Sequence, residues 1–191
     1  MVLTQLQLAL PDWAGEAVAR STRCVTDDAR IALAIDLSRR NVEARTGGPF
    51  GAVVFGPGNE VVAAGVNCVL PQSCSVAHAE IMAIMLAQRS LGRARLNRDD
   101  EGQPIGLYTL AASSQPCCQC YGALVWAGID RLIIGARAED VMTESAFDEG
   151  PLPANWVGEL ERRGIEVIRD VRRDEARQVL RAYSTNGGVR Y

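Results

Sequence analysis

Lysine is missing from this chain: all 20 basic residues among its 191 are arginine. A Schiff-base lysine, a phosphate-loop lysine and the lysine of kinase sites are therefore excluded. Histidine is almost missing too. His78 is the single one, so no site built on two or three imidazoles can form within one chain. No stretch approaches 18 uninterrupted apolar residues, which excludes a membrane-spanning helix. An excess of basic charge is also absent: 23 acids against 20 bases leave a formal net charge of −3, which speaks against electrostatic nucleic-acid binding. The first residues carry Leu3, Leu6, Leu8 and Leu10 without the basic region or small-residue cleavage site of a secretory signal, so none is expected.

What is there is a chain with 48% apolar residues and a length that suits one domain, or one domain plus an arm. A chain this long buries roughly 70% of the surface it exposes when unfolded, so it needs no disulfide staples. Six cysteines are nonetheless present: Cys24, Cys68, Cys74, Cys117, Cys118 and Cys120. Three of them fall between positions 117 and 120, which is poor geometry for a spread-out disulfide framework. Reduced thiols in the cytoplasm are the expectation, and there clustered cysteines point to metal or redox chemistry.

Residues 1–25 read as an extension, with a short helix around Asp12–Arg20. Thr26 followed by Asp27 and Asp28 is a helix start, and the apolar run from Ile31 carries that helix to about residue 45. Gly51–Phe55 and Val61–Ala64 flank a Gly-Pro-Gly-Asn turn and predict a hairpin. A helix is expected over Ala77–Leu91, a polar loop over 93–106 and a third strand over Ile105–Leu110. Then come a helix from Cys117 to about Trp126, a strand at Arg131–Gly135 and an acidic loop or broken helix over Asp140–Pro153. A strand at Gly164–Ile168 and a charged helix at Asp174–Tyr183 close the domain, and 184–191 form a tail. A hairpin followed by alternating strands and helices predicts an α/β fold: a three-layer α/β/α sandwich on a five-stranded mixed sheet, spanning 26–183. The Arg-rich stretch Glu161–Arg181 alternates in sign and reads as a solvated surface.

The chemistry-bearing pieces are His78-Ala79-Glu80 at one helix start and Pro116-Cys117-Cys118-Gln119-Cys120 at another. Cys117 and Cys120 are three apart and share a helix face, and Pro116 suits a first turn because its missing N–H costs nothing there. Thiols at a helix N-terminus ionise more readily, as a zinc ligand must. One imidazole and two thiolates leave the fourth tetrahedral position to water, the catalytic rather than the structural pattern. Glu80 can reach that water only if the helix begins at the histidine; it can then carry the proton that zinc makes acidic. A buried core histidine and a redox Cys-x-x-Cys are the plainer readings. The redox reading leaves His78-Ala79-Glu80 unexplained. Cys24, Cys68, Cys74 and Cys118 read as small buried hydrophobes.

His-x-Glu combined with Pro-Cys-x-x-Cys resembles the zinc deaminase signature of the cytidine deaminase superfamily. Gly47-Gly48-Pro49-Phe50-Gly51-Ala52-Val53-Val54 is similar to a segment that bacterial guanine deaminases of this superfamily carry before their first strand. Asn67 falls where they keep a substrate-binding asparagine, and Tyr121–Ala127 continues the cysteine helix as theirs does. Phe147-Asp148-Glu149 resembles their Phe-Asp-Asp stretch, and Tyr191 matches their terminal tyrosine. The likeness covers about 26–150 plus the terminus. Residues 1–25 and the loop around 93–104 are extra, Cys118-Gln119 replaces Pro-Met, and Glu149 replaces an aspartate.

The resemblance implies a cytidine deaminase-type fold and hydrolysis of guanine to xanthine and ammonia. One zinc ion per subunit would sit on His78, Cys117 and Cys120, with Glu80 as proton carrier. Guanine's N1–H and 2-amino group are donors, so a carboxylate among Glu144, Asp148 and Glu149 is expected to face the pocket, Glu144 being the candidate second proton shuttle. Asn67, the Ala79 backbone amide, Phe50, Trp126 and Tyr191 complete the expected substrate contacts. The resemblance further implies a homodimer whose tails close over neighbouring sites, hinged at Asn186-Gly187-Gly188. Alternatives within the chemistry are a cytosine-type base, an aminotriazine such as ammeline, or a tRNA adenosine. The acidic balance opposes the last. A non-catalytic zinc scaffold is the rival from another class, but it has no use for Glu80.

Overall fold

The computed structural model describes residues 4–19 and 23–191. Helix α1 spans Trp13–Ala19, inside the stretch expected to be a short helix; Arg20 lies outside the described residues. Its Ala14 and Ala17 are buried, and Leu8, Leu10 and Trp13 pack on the core, so the segment ahead of the domain is seated on it. Helix α2, Asp27–Glu43, starts as its sequence dictates: the Thr26 hydroxyl accepts the Ala29 N–H, and two acids occupy the first turn. The hairpin of β1, Gly51–Phe55, and β2, Val61–Val66, follows, then the single turn α3, Val69–Gln72. Helix α4 spans Ala79–Leu91, β3 Thr109–Ser114, α5 Cys118–Ala127 and β4 Arg131–Ala136. Helix α6, Ala138–Ser145, and α7, Trp156–Glu161, precede β5, Glu166–Ile168, and α8, Arg173–Thr185.

The sheet runs in the order β2-β1-β3-β4-β5. Strand β1 is antiparallel to β2 and β3, whereas β3, β4 and β5 are parallel. Side chains alternate between two cores, as strand geometry requires. Val53, Phe55, Ala111 and Ile133 meet Ile31 and Ile35 of α2 and Leu180 of α8. Ala52, Val54, Leu110, Ala112, Leu132 and Ile134 meet Ala83 and Ile84 of α4 and Leu124 of α5. This is the expected three-layer sandwich, and strands buried on both faces read as unbroken apolar runs.

Four expectations need correction. The third strand is Thr109–Ser114, not Ile105–Leu110, and Leu107 is 63% exposed in the preceding loop. Helices cover both faces of this central strand, so small side chains, Ala111 to Ser114, fit where Ile105 and Leu107 would not. The stretch expected as a loop or broken helix contains α6, which Asp140 stabilises by accepting the Arg137 N–H at 2.8 Å. Pro116 precedes the N-cap Cys117 instead of occupying the first turn, and its missing N–H still costs no ladder bond.

The charged face of α8 is likewise not simply solvated. It packs on α6, where Asp140 takes Arg173 at 2.6 Å and Arg177 at 3.2 Å. Glu144 takes Arg177 at 2.7 Å and Arg181 at 3.0 Å. Burial pushes the Asp140 carboxyl up, but hydrogen bonds from Arg173 and the Arg137 N–H, with the two guanidinium charges, outweigh it and hold the group below the usual range. A lowered carboxyl stabilises the fold fully above its unfolded value, about 3.9, and that contribution fades as pH falls through the folded value. Asp140→Asn should therefore cost about 1–3 kcal/mol at neutral pH. The melting-temperature gap to wild type should narrow in acid below about pH 4; a gap independent of pH would contradict this account.

Candidate active site

Two helices begin side by side at one edge of the sheet. His78 is the N-cap of α4, with φ −72° and ψ 157°, and Cys117 is the N-cap of α5, with φ −67° and ψ 175°. Extended backbone at both caps turns each side chain back over its own helix start. Cys120 lies three positions after Cys117, the spacing by which a capping box brings two side chains together, here filled by thiols. Glu80 stands in the first turn of α4, buried. The requirement that this helix start at the histidine is met.

The His78 Nδ1 atom lies 3.4 Å from the Cys117 Sγ and 3.7 Å from the Cys120 Sγ. All three ligand atoms fall within 4.8 Å of one another. Tetrahedral zinc with Zn–S near 2.3 Å and Zn–N near 2.0 Å places such atoms about 3.6 Å apart, which the separations of His78 from both sulfurs match. The thiols' ionisation agrees. A hydrogen bond from Cys120, together with His78, outweighs burial and brings the Cys117 thiol down to about 4. The same hydrogen bond, with burial and the charges of Glu80 and Cys117, pushes Cys120 up instead. Burial lowers the His78 pKa, but its hydrogen bond with Cys117, the Glu80 and Cys117 charges and the Ser75 backbone outweigh that and raise it.

A cavity of about 410 Å³ opens in front of this set. Phe50, Asn67, His78, Glu80, Cys117, Phe147, Asp148, Glu149 and Tyr191 are among its lining residues. Phe147 sets the wall: its ring meets Phe50 edge-on at 5.3 Å, Tyr191 at 4.9 Å and Tyr183 of α8 at 5.9 Å. Burial pushes Glu80 up to about 7 and Glu149 up to about 8, and the Cys117 charge adds to both. Two carboxyls able to hold or give up a proton near neutral pH thus share one cavity with the donor set.

Residues 25–136 match the cytidine and deoxycytidylate deaminase zinc-binding region. The chain belongs to the cytidine and deoxycytidylate deaminase family. This deaminase is 38% identical over 116 residues to the guanine deaminase of Bacillus subtilis, covering 61% of this chain and 67% of that protein. It is 38% identical to the solved guanine deaminase from Nitrosomonas europaea, covering 97% of this chain and 99% of the other with a TM-score of 0.87. A further structure, solved in complex with 2,6-diaminopurine, is 40% identical over 98% of this chain and 96% of its own, again at 0.87.

Several expected site residues lie elsewhere. Trp126 is 76% exposed on the outer side of α5 and does not line the cavity. Glu144 is tied to Arg177 and Arg181 and does not line it either; α6 is helical there, and the helix turns the side chain toward α8. Ala79 packs its side chain into the core, and its backbone amide, the expected contact, stands at the start of α4 beside His78. The tail folds back on the chain that carries it. Tyr191 keeps 40% of its surface exposed, yet burial of its hydroxyl end raises that group's pKa. The sequence reading missed Phe147, although it stands in the matched Phe-Asp-Glu stretch. It also missed the Ser73-Cys74-Ser75 loop and Gln115, whose only signal was their nearness to His78 and Pro116.

His78→Ala removes the only imidazole in the chain. It should lose stoichiometric zinc on dialysis, measured by elemental analysis, while circular dichroism shows a folded protein. Zinc held as tightly as in wild type would overturn the donor set.

Proposed function

We propose that this deaminase converts guanine to xanthine, releasing ammonia. Two observations support the reading: near-full-length likeness to a guanine deaminase, and a cavity holding two buried carboxyls beside a His-Cys-Cys donor set. His78, Cys117 and Cys120 would hold the zinc ion. Zinc bound there supplies the acidity that makes water a nucleophile at neutral pH.

The remaining work falls to the chain. Oxygen adds to C2 of the ring, the bond from C2 to the exocyclic nitrogen breaks, and the two protons of water end on N3 and on ammonia. Glu80 takes the first proton and gives it to N3, which its burial favours by raising its affinity for protons. Glu149, the other buried carboxyl, faces the donor edge of the ring and attends the departing nitrogen; this is the role expected of Glu144, moved to the acid that lines the cavity. Asp148 lies at the more exposed rim. Asn67 offers its amide N–H to ring acceptors, Phe50 and Phe147 flank the ring, and Tyr191 closes the mouth.

The protein is read as a cytoplasmic homodimer serving purine metabolism. Trp126, an exposed apolar side chain on α5, is a surface a second copy would cover. In such a dimer the tail, whose Tyr191 lines the cavity, would close over a neighbouring site in the swapped arrangement.

Zinc-loaded protein should release ammonia from guanine in preference to adenine, cytosine, their nucleosides or aminotriazines. Glu80→Gln should keep its zinc and lose about 10²–10⁴-fold in kcat. Turnover of another base at higher kcat/KM would replace the substrate; an unimpaired Glu80→Gln would sink the mechanism.

A further inference from the structure

Asn67 contributes one oriented amide to the cavity, and that orientation is fixed by backbone. Its Oδ1 accepts the N–H of Gly48 at 3.4 Å and of Val69 at 3.3 Å, which turns Nδ2 away from both. Among the described residues no acceptor takes that Nδ2, so it is left to a ligand. The Asn67 N–H is meanwhile bonded to the Phe50 carbonyl at 3.1 Å.

Behind Asn67 lies a second asparagine. Asn41 is fully buried in the last third of α2. An apolar residue would be cheaper at such a place, because a buried amide costs free energy unless its donors and acceptor are met. Asn41 is met in a particular way. Its Nδ2 donates to the carbonyls of Gly48 at 2.8 Å and Asn67 at 2.9 Å, and Asn67 lines the cavity. Its Oδ1 accepts the Thr46 hydroxyl at 2.8 Å, and that hydroxyl accepts the indole N–H of Trp13 at 3.1 Å. Space is as tight as bonding: a Cβ on Gly47 would collide with the Asn67 carbonyl, and one on Gly48 with the Tyr191 hydroxyl.

We propose that Asn41 is a positioning residue for substrate recognition, and that the N-terminal segment supports the active site through the chain Trp13–Thr46–Asn41–Asn67. The inference rests on the reading of Asn67 as a substrate contact. The segment before the domain thereby acquires a role, since Trp13 orients the hydroxyl that orients the amide that holds the Asn67 carbonyl and the Gly48 loop. Support of this kind acts on ligand affinity, not on the water or the proton carriers.

The test compares Trp13→Phe, Thr46→Val and Asn41→Asp in zinc-loaded full-length protein with guanine. Asn41→Asp keeps the shape but sets an acceptor against two carbonyls. It should lose about tenfold or more in kcat/KM, mainly through KM, with zinc retained. Thr46→Val and Trp13→Phe should raise KM about 2–5-fold. In an Asn67→Ala background Asn41→Asp should add less than about twofold, because the supported group is gone. A purely structural Asn41 would lower the melting temperature and leave KM unchanged, or cost the same in both backgrounds; either result overturns the proposal. Normal kinetics in Trp13→Phe alone would detach the N-terminal segment from it. Should Asn41→Asp fail to fold, Thr46→Val decides by the same comparison. An Asn67→Ala chain as active as wild type would instead refute the substrate contact, and this support with it.

Discussion

Everything in the site depends on two helices starting at the same edge of one sheet. Extended backbone at His78 and at Cys117 lets a single residue end a loop, cap a helix and present a ligand atom. Had α4 begun a turn earlier, Glu80 and His78 would both be helical two positions apart and point to different sides, since successive helical residues diverge by about 100°. The parallel pair β3 and β4 and the antiparallel hairpin fix where those starts fall. The architecture is thus a device for bringing an imidazole from one crossover within hydrogen-bond range of two thiols from another.

Around that convergence the chain excludes water from its carboxyls. Glu80 and Glu149 sit where burial raises their proton affinity toward neutral pH, whereas Asp140 is held below the usual range by arginines. Environment, not residue type, separates carboxyls that titrate near neutral pH from those held by ion pairs. The ion pairs between α6 and α8 also bear on the cavity, because α6 runs directly into Phe147 and α8 carries the Tyr183 ring that Phe147 stacks on. Tyr183 in turn donates its hydroxyl proton to the Val189 carbonyl at 2.6 Å, tying the tail to the same cluster.

Much of this was legible in the residues, for identifiable reasons. Helix caps, the turn at Gly56–Asn59 and the His-x-Glu and Cys-x-x-Cys spacings are local, so α2, the hairpin and the donor set could be read directly. The strand at Thr109–Ser114 was hidden because its composition answers to two helices packed on it, a tertiary demand. Glu144 and Glu149 stand five residues apart in one acidic stretch, and only the helix α6 decides which turns to arginines and which to the cavity. Trp126 shows the converse: it continues the cysteine helix as the family pattern has it, yet a helix face one-third of a turn away points outward. Pattern found the stretch; three-dimensional packing chose the residue.

The N–H of Cys118 donates to the carbonyl of Glu149 at 3.0 Å. The Cys118 side chain is exposed and not buried as expected, because its place in the first turn of α5 turns it outward, but its backbone straps the ligand helix to the acidic wall of the cavity. The family pattern that this sequence resembles has proline at this place, a residue ordinarily welcome in the first turn of a helix. Proline has no N–H to give. In this chain the family's customary residue would thus be the harmful one, releasing the wall from the metal helix while improving the helix itself. Repair by consensus, sound at most surface positions, would here trade helix propensity against the geometry of the reaction chamber.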